Sequence, residues 1–122
     1  MDAQRDARER LRTEDETTPD EARAIVCAAC HQVVTSDDEA IAVDGAHAHR
    51  FVNPAGFVFD IRCFGDAPGL VAIGEPAREH TWFPGAAWQV GLCAACQGHL
   101  GWAFSGREAP FVALIADRVR EL

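Results

Sequence analysis

The sequence predicts an all-β domain of two packed antiparallel sheets, stapled by one metal ion. Three observations carry this expectation. Short apolar runs recur between turn residues from Ala24 onward, no segment holds a long helical period, and two Cys-x-x-Cys pairs bracket nearly all of those runs. The pairs are Cys27-Ala28-Ala29-Cys30 and Cys93-Ala94-Ala95-Cys96.

Length and composition set the frame. The chain has 122 residues and 48% hydrophobic content, about one domain with a modest core, so a staple would help. Its 11 basic residues against 19 acidic ones give a net charge of −8, a surface that repels phosphate backbones and argues against a nucleic-acid partner. No apolar run approaches the ~20 residues of a membrane span, and none follows the N-terminus as a signal peptide would. A soluble, cytoplasmic protein with no membrane partner is expected. Residues 1–21 hold eight acids and four arginines with few apolar side chains. They cannot bury enough surface to offset the entropy of ordering, so 1–21 is expected to be a disordered acidic leader and 22–122 the folded domain.

The elements follow in order. Ala24–Cys27 and His31–Thr35 are the arms of the first knuckle, closed by the turn Ser36-Asp37-Asp38. Ile41–Val43 reads as a short strand before the turn Asp44-Gly45. His49–Val52 leads into Asn53-Pro54-Ala55-Gly56, a strong turn. Phe57–Phe64 alternates, with Phe57, Phe59, Ile61 and Cys63 on one side and Val58, Asp60, Arg62 and Phe64 on the other. Leu70–Ile73 is a strand ended by Gly74 and Pro76. Phe111–Ile115 is the last, and Ala116–Leu122 could close the chain as a helical turn.

The cysteine spacing fits a structural zinc site. Zinc favours four soft ligands in a tetrahedron, and two tight turns each bring two thiolates to one ion. Such paired spacing is metal-ligand spacing rather than a secreted disulfide pattern. Cys27, Cys30, Cys93 and Cys96 are therefore the expected ligands of one Zn2+. Four thiolates and one dication add −2 and would take the net charge from −8 to −10.

Around the second knuckle, HTWFPGAAWQVGLCAACQGHLGWAF over 80–104 holds all three tryptophans, Trp82, Trp88 and Trp102. Ala86, Trp88, Val90 and Leu92 share one face of the strand leading in, and Leu100, Trp102 and Phe104 one face of the strand leading out. A hairpin centred between Ala94 and Ala95 would set Trp88 opposite Gly101, and a one-residue shift would bring the two indoles side by side. Pro84-Gly85 is a type II turn that folds Trp82 back toward them. Aromatic stripes on hairpins usually pack inward as core. Indole N–H groups need partners, however, and a small core seldom gathers three tryptophans, which favours a pocket. A cationic ligand would need a nearby carboxylate, with Glu75 and Glu79 as candidates. A flat neutral ring would instead slide between indoles while backbone groups at His80–Trp82 read its edge.

These residues carry a resemblance. EHTWFPGAAWQVGLCAACQGHLGW, with AIVCAACHQVV and FVNPAGFVFDIRCF, is similar to the thalidomide-binding, or CULT, domain family of cereblon, over about Ile25 to Val119. The resemblance implies a β-tent fold of two zinc-stapled antiparallel sheets, akin to B-type methionine sulfoxide reductases, and a cage that takes cyclic imides such as glutarimides, thalidomide-type compounds and uracil-like rings. Trp82, Trp88 and Trp102 would form the cage and Phe104 its base. The imide N–H would donate to the His80 carbonyl, and its carbonyls would accept from the Trp82 backbone N–H and the His80 side chain. Thr81 lies between them, Asn53 and Pro54 would sit on the covering loop, and Phe59 would add a wall. Ala87 stands where a bulkier residue is common, which would open the outer rim. In animal cereblon this domain serves a ubiquitin ligase through further segments that 122 residues cannot hold. A single-domain, bacterial-type member is therefore expected, with no ligase partner.

The competing class is an enzyme of the methionine sulfoxide reductase B-like fold, in which a cysteine attacks. Cys63 is the one spare thiol, and its place on an alternating strand reads as a buried apolar residue rather than a nucleophile. Cage tryptophans supply no acid, base or nucleophile, so no catalysis is expected. A third reading is an aromatic-cage reader of peptides whose side chains have cyclised to imides. His31 and His99 read as surface or capping residues beside the knuckles, and His47 and His49 as an exposed loop near the ligand. The 44–56 loop is expected to be mobile when empty and to order over ligand. Because the ion would tie the start of the domain to its end, a strong chelator should unfold 22–122. Loss of the far-ultraviolet β signal in step with zinc release is the expected result, and a retained signal would show the staple to be dispensable.

Overall fold

The computed structural model describes residues 22–122; the expected leader over 1–21 lies outside the described residues. The domain is all-β, with nine strands in two antiparallel sheets. They are β1 (Ala24–Cys27), β2 (Val33–Ser36), β3 (Ala48–Val52), β4 (Val58–Phe64), β5 (Leu70–Ala77), β6 (Ala87–Cys93), β7 (His99–Ser105), β8 (Phe111–Ile115) and β9 (Val119–Glu121). The small sheet runs β2-β1-β9 and the large one β3-β4-β8-β7-β6-β5. Among the described residues no helix is long and apolar enough to cross a membrane.

The large sheet buries side chains on both faces, because its strands alternate. On β4, Phe64 joins one cluster with Ile25, Val34, Leu100, Leu114 and Val119, between the sheets. Ile61 and Cys63 join another, with Phe83, Phe104, Phe111 and Ala113, on the opposite face. The division of β4 into two sides that its sequence suggested is thus the division between two cores.

The structure departs from the sequence reading in four places. Ile41–Val43 is not a strand: Ala40 and Val43 make only isolated bridges, to Phe64 and Ala46. The reason is that Asp44 and Gly45 both take positive φ, 51° and 91°, so the chain reverses in two residues before pairing can extend. The chain end is only briefly helical: after the 3-10 turn Ala116–Arg118, β9 pairs with β1 from Ile25–Glu121 to Cys27–Val119. The middle of the expected 44–56 loop, Ala48–Val52, is strand β3, paired with β4 from Ala48–Arg62 to Val52–Val58. Finally, the hairpin register places Trp88 opposite Phe104 and Val90 opposite Trp102. The turn runs through to Gly98 rather than closing at Ala94-Ala95, because the Cys93 N–H donates to the Gly98 carbonyl at 2.8 Å. A register shift between Gly91 and Leu92 then leaves one extra β7 residue, Leu100, between His99 and Gly101. This bulge turns Leu100 into the core between the sheets, away from the face of Trp102 and Phe104 that the sequence reading gave it.

Gly101 shows how closely these strands approach. A Cβ there would lie 2.0 Å from the Ala113 carbonyl oxygen, a backbone atom that cannot rotate away. Gly101→Ala should therefore destabilise the domain by about 3 kcal/mol, the upper range for overpacking. Urea denaturation of the zinc-loaded protein checks this, and an unchanged midpoint would mean that β7 and β8 can part without cost.

Candidate functional site

The two knuckles are built alike. In each, the first cysteine carbonyl accepts from the residue after the second cysteine: His31 N–H to Cys27 and Gln97 N–H to Cys93, both at 2.8 Å. Those two residues are left-handed, with φ of 68° and 65°, which curls each turn so that both thiols point inward. The four Sγ atoms lie within 4.8 Å of one another, with Cys27–Cys96 at 3.8 Å and Cys30–Cys93 at 3.6 Å. Zinc–sulfur bonds of about 2.3 Å in a tetrahedron require sulfurs about 3.8 Å apart, so the four cysteines suit one zinc ion. His31 is exposed and lies outside this group.

Residues 78–86 form a strap across the other face of the large sheet. Phe83 is its anchor, 1% exposed, with its ring edge-on to Phe104 at 5.0 Å and to Phe111 at 5.1 Å. Pro84-Gly85 makes the expected turn: Ala86 N–H donates to the Phe83 carbonyl at 2.9 Å, with Gly85 at φ 85°. Before it, Thr81 N–H donates to the Arg78 carbonyl at 3.3 Å, with His80 at φ 59°. The strap thereby holds Trp82 over the sheet. Behind Trp82 lies Phe51, stacked at 5.0 Å with 8° between the planes. In front is Trp102, edge-on at 4.7 Å. Trp88 is fixed by its indole N–H, which donates to the Glu79 carbonyl at 2.7 Å.

These side chains border a cavity of about 490 Å³. The three tryptophans, Phe104 and Phe59 line it, as do His80 on the strap and Asn53 and Pro54 on the β3–β4 turn. The Asn53 side-chain oxygen accepts from Phe57 N–H at 2.8 Å, so its amide NH2 is the end left unbound by that turn. Thr81 does not line the cavity; its hydroxyl lies 3.3 Å from the Phe83 carbonyl and 3.4 Å from the Phe83 nitrogen, inside the strap.

Sequence reading missed several members. Val90 and His99 line the cavity, and Phe51 and Phe83 back it. His99 is no surface cap: half-buried, it meets Trp102 edge-on at 4.9 Å, and its Nε2 lies 3.0 Å from the Gly101 carbonyl. Burial pushes its pKa down, which favours the neutral ring. His49 is no exposed loop residue. Its Nε2 lies 3.0 Å from the Val43 carbonyl and 2.9 Å from that of Ala46, and its ring stacks on Phe51 at 5.5 Å. His47 likewise joins Ile41 and Arg62. Phe51 could have been found by pairing residues around the Asn-Pro-x-Gly turn, which puts it opposite Phe59. His99 had no such signal, since the bulge in β7 hid its direction.

Cys63 is fully buried, and burial pushes its thiol up to about 11. Both effects disfavour the thiolate that nucleophilic attack requires.

No family model matches the chain. Among curated proteins it is similar to protein cereblon of Danio rerio, 36% identical over 89 residues that cover 70% of this chain and 20% of that protein. Protein cereblon of Drosophila virilis is 31% identical over 116 residues, 86% of this chain and 18% of that protein. Protein cereblon of Gallus gallus is 40% identical over 55 residues, 45% of this chain and 12% of that protein. The chain spans about a fifth or less of the length of these relatives.

In the folded, zinc-loaded protein Cys63 should escape alkylation by iodoacetamide at pH 8 and react fully once the chain is denatured. Mass spectrometry of the labelled peptides reads this directly, and native labelling at Cys63 would return it to consideration as a nucleophile.

Proposed function

We propose that this chain, a domain of the cereblon type, is a receptor that holds a cyclic imide or uracil-like ring between Trp82, Trp88 and Trp102. The observation that carries the reading is a pair of backbone groups on the strap. Among the described residues neither the His80 carbonyl nor the Trp82 N–H makes a protein hydrogen bond, although both residues line the cavity. An unpaired acceptor and donor two residues apart suit a ring whose edge alternates acceptor, donor and acceptor. The His80 side chain and the Asn53 amide supply further polar groups. Indole faces meet the ring's flat sides, and Phe104 lies beneath.

The charge of the lining supports a neutral ligand over a cation. No Asp or Glu lines the cavity, and Glu75 and Glu79 are both exposed and outside it. A methylated ammonium would therefore find ring faces without a compensating carboxylate. The lining also offers no buried nucleophile, so the reading is of a binding module rather than a reductase or another enzyme. The imide could be free or carried on a peptide as a cyclised side chain; both would use the same residues. The proposed setting is the cytoplasm and the proposed partner is the ligand alone.

Titration of the zinc-loaded protein with glutarimide should quench tryptophan emission saturably, with uracil binding more weakly and a trimethylammonium salt inert. Trp82→Ala should abolish the response. Binding of the ammonium alone would make the cavity a cation reader, and no response to any probe would return the tryptophans to the core. Tighter binding of a peptide-borne imide than of glutarimide would identify the peptide as the source.

A further inference from the structure

We propose that Arg107, outside the cavity, is a positioning residue that sets the width of the cage by fastening the strap to the turn preceding β3. The inference rests on the imide reading, but its central observation is independent of any ligand. Arg107 lies in the β7–β8 connection. Its Nη1 and Nη2 donate to the two oxygens of Asp44 at 2.8 and 3.1 Å. Its Nε and Nη2 also donate to the Pro84 carbonyl, at 3.0 and 2.9 Å. One guanidinium thus joins three segments that are otherwise distant in sequence. It also lies over the Phe83 ring, 5.9 Å from the centroid.

The two ends of this clamp lead directly to opposite parts of the cage. Pro84 is two residues from Trp82. Asp44 opens the segment that becomes β3, where His49 is edge-on to Phe83 at 5.2 Å and Phe51 stacks behind Trp82. The β3–β4 turn then supplies Asn53 and Pro54, and β4 supplies Phe59. The distance between the strap and this hairpin is the distance between Trp82 and the side of the cavity that Asn53, Pro54 and Phe59 form. A second arginine, Arg78, donates to the adjacent Gly85 carbonyl at 3.3 Å from the strap's own side, and so does not bridge to the hairpin. The planar fork is what fits: a lysine ammonium could not bind both Asp44 oxygens side by side while also donating to Pro84.

The domain contains a matched control. Arg50 and Asp60 form another forked pair, at 2.7 and 3.2 Å, between β3 and β4, with no contact to the strap. An exposed pair of this kind contributes little by itself. If Arg107 acted only as surface charge, Arg107→Ala and Arg50→Ala should behave alike.

The test is glutarimide affinity and tryptophan emission of the zinc-loaded 122-residue chain. Arg107→Ala should weaken glutarimide on the order of tenfold. Arg107→Lys should recover only part of the loss, and Arg50→Ala should match the wild type. Asp44→Asn should weaken binding less than Arg107→Ala, and combining the two should be no worse than Arg107→Ala alone. Without ligand, Arg107→Ala should shift the emission to the red, a change absent in a Trp82→Phe background. Wild-type affinity and emission in Arg107→Ala, or equal effects from Arg50→Ala, would overturn the proposal. Should Arg107→Ala fail to fold, Asp44→Asn decides the matter by the same two readings. Should glutarimide not bind the wild type, the imide reading falls, and the Trp82-dependent emission shift alone decides on Arg107.

Discussion

Four sulfur atoms hold this domain together. They join two knuckles separated by 62 residues, the span between Cys30 and Cys93, and every strand from β2 to β6 lies on the loop so closed. Zinc binding to such a set is worth on the order of 10 kcal/mol in small peptides, comparable to the roughly 5–15 kcal/mol by which a whole domain is stable. The nine-residue core cluster between the sheets includes two of the ligands, Cys27 and Cys93, so metal binding and apolar burial are one cooperative unit. The small sheet has only three short strands. Its attachment to the large sheet depends on that unit.

The cavity depends on a different arrangement, an irregular segment laid over a regular sheet. The strap crosses β6, β7 and β8 and is fixed by one buried ring, Phe83, and by turns with His80 and Gly85 at positive φ. A segment that folds this tightly leaves backbone groups that the sheet cannot satisfy. Some find partners within the strap itself, as at Thr81 and Ala86, and others outside it, as the Glu79 and Pro84 carbonyls do at Trp88 and Arg107. Among the described residues the His80 carbonyl and the Trp82 N–H remain unpaired beside the cavity, a polar edge next to aromatic walls. Under the proposed function this edge would supply selectivity, since hydrophobic contact alone accepts many flat rings whereas an ordered donor and acceptor discriminate among them.

The sequence carried the fold class, the metal ligands and the identity of most cavity residues because each depends on local signals. Cysteine spacing reports the knuckles, alternation on β4 reports two faces, and Pro84-Gly85 reports the turn after Trp82. What it did not carry depends on three-dimensional pairing. The tight reversal at Asp44-Gly45 turned the apolar Ile41–Val43 run into a loop. Strand β9 exists because β1 offers it an edge, and nothing in Val119-Arg120-Glu121 alone distinguishes it from the helical end expected there. The register of the Trp88–Phe104 hairpin was set by the length of the metal turn, which extends to Gly98. Thr81, central in sequence to the expected site, proved to serve the strap because its hydroxyl engages the backbone of Phe83.

The large sheet is one residue thick, and its alternation interleaves two independent sets of side chains. On β8, adjacent Leu114 and Ala113 divide by alternation between the core beneath and the cluster above. On β7, Leu100 and Trp102 divide only because Leu100 is the extra residue of the bulge, which turns it to the core beneath while Trp102 lines the cavity. Substitutions on the cavity side can therefore reshape that side without altering the layer that holds the cysteine-bearing core. Such a wall lets the lining of the cavity change while the scaffold stays the same. Its limit lies at Gly101, where the two strands leave no room for a side chain of either set.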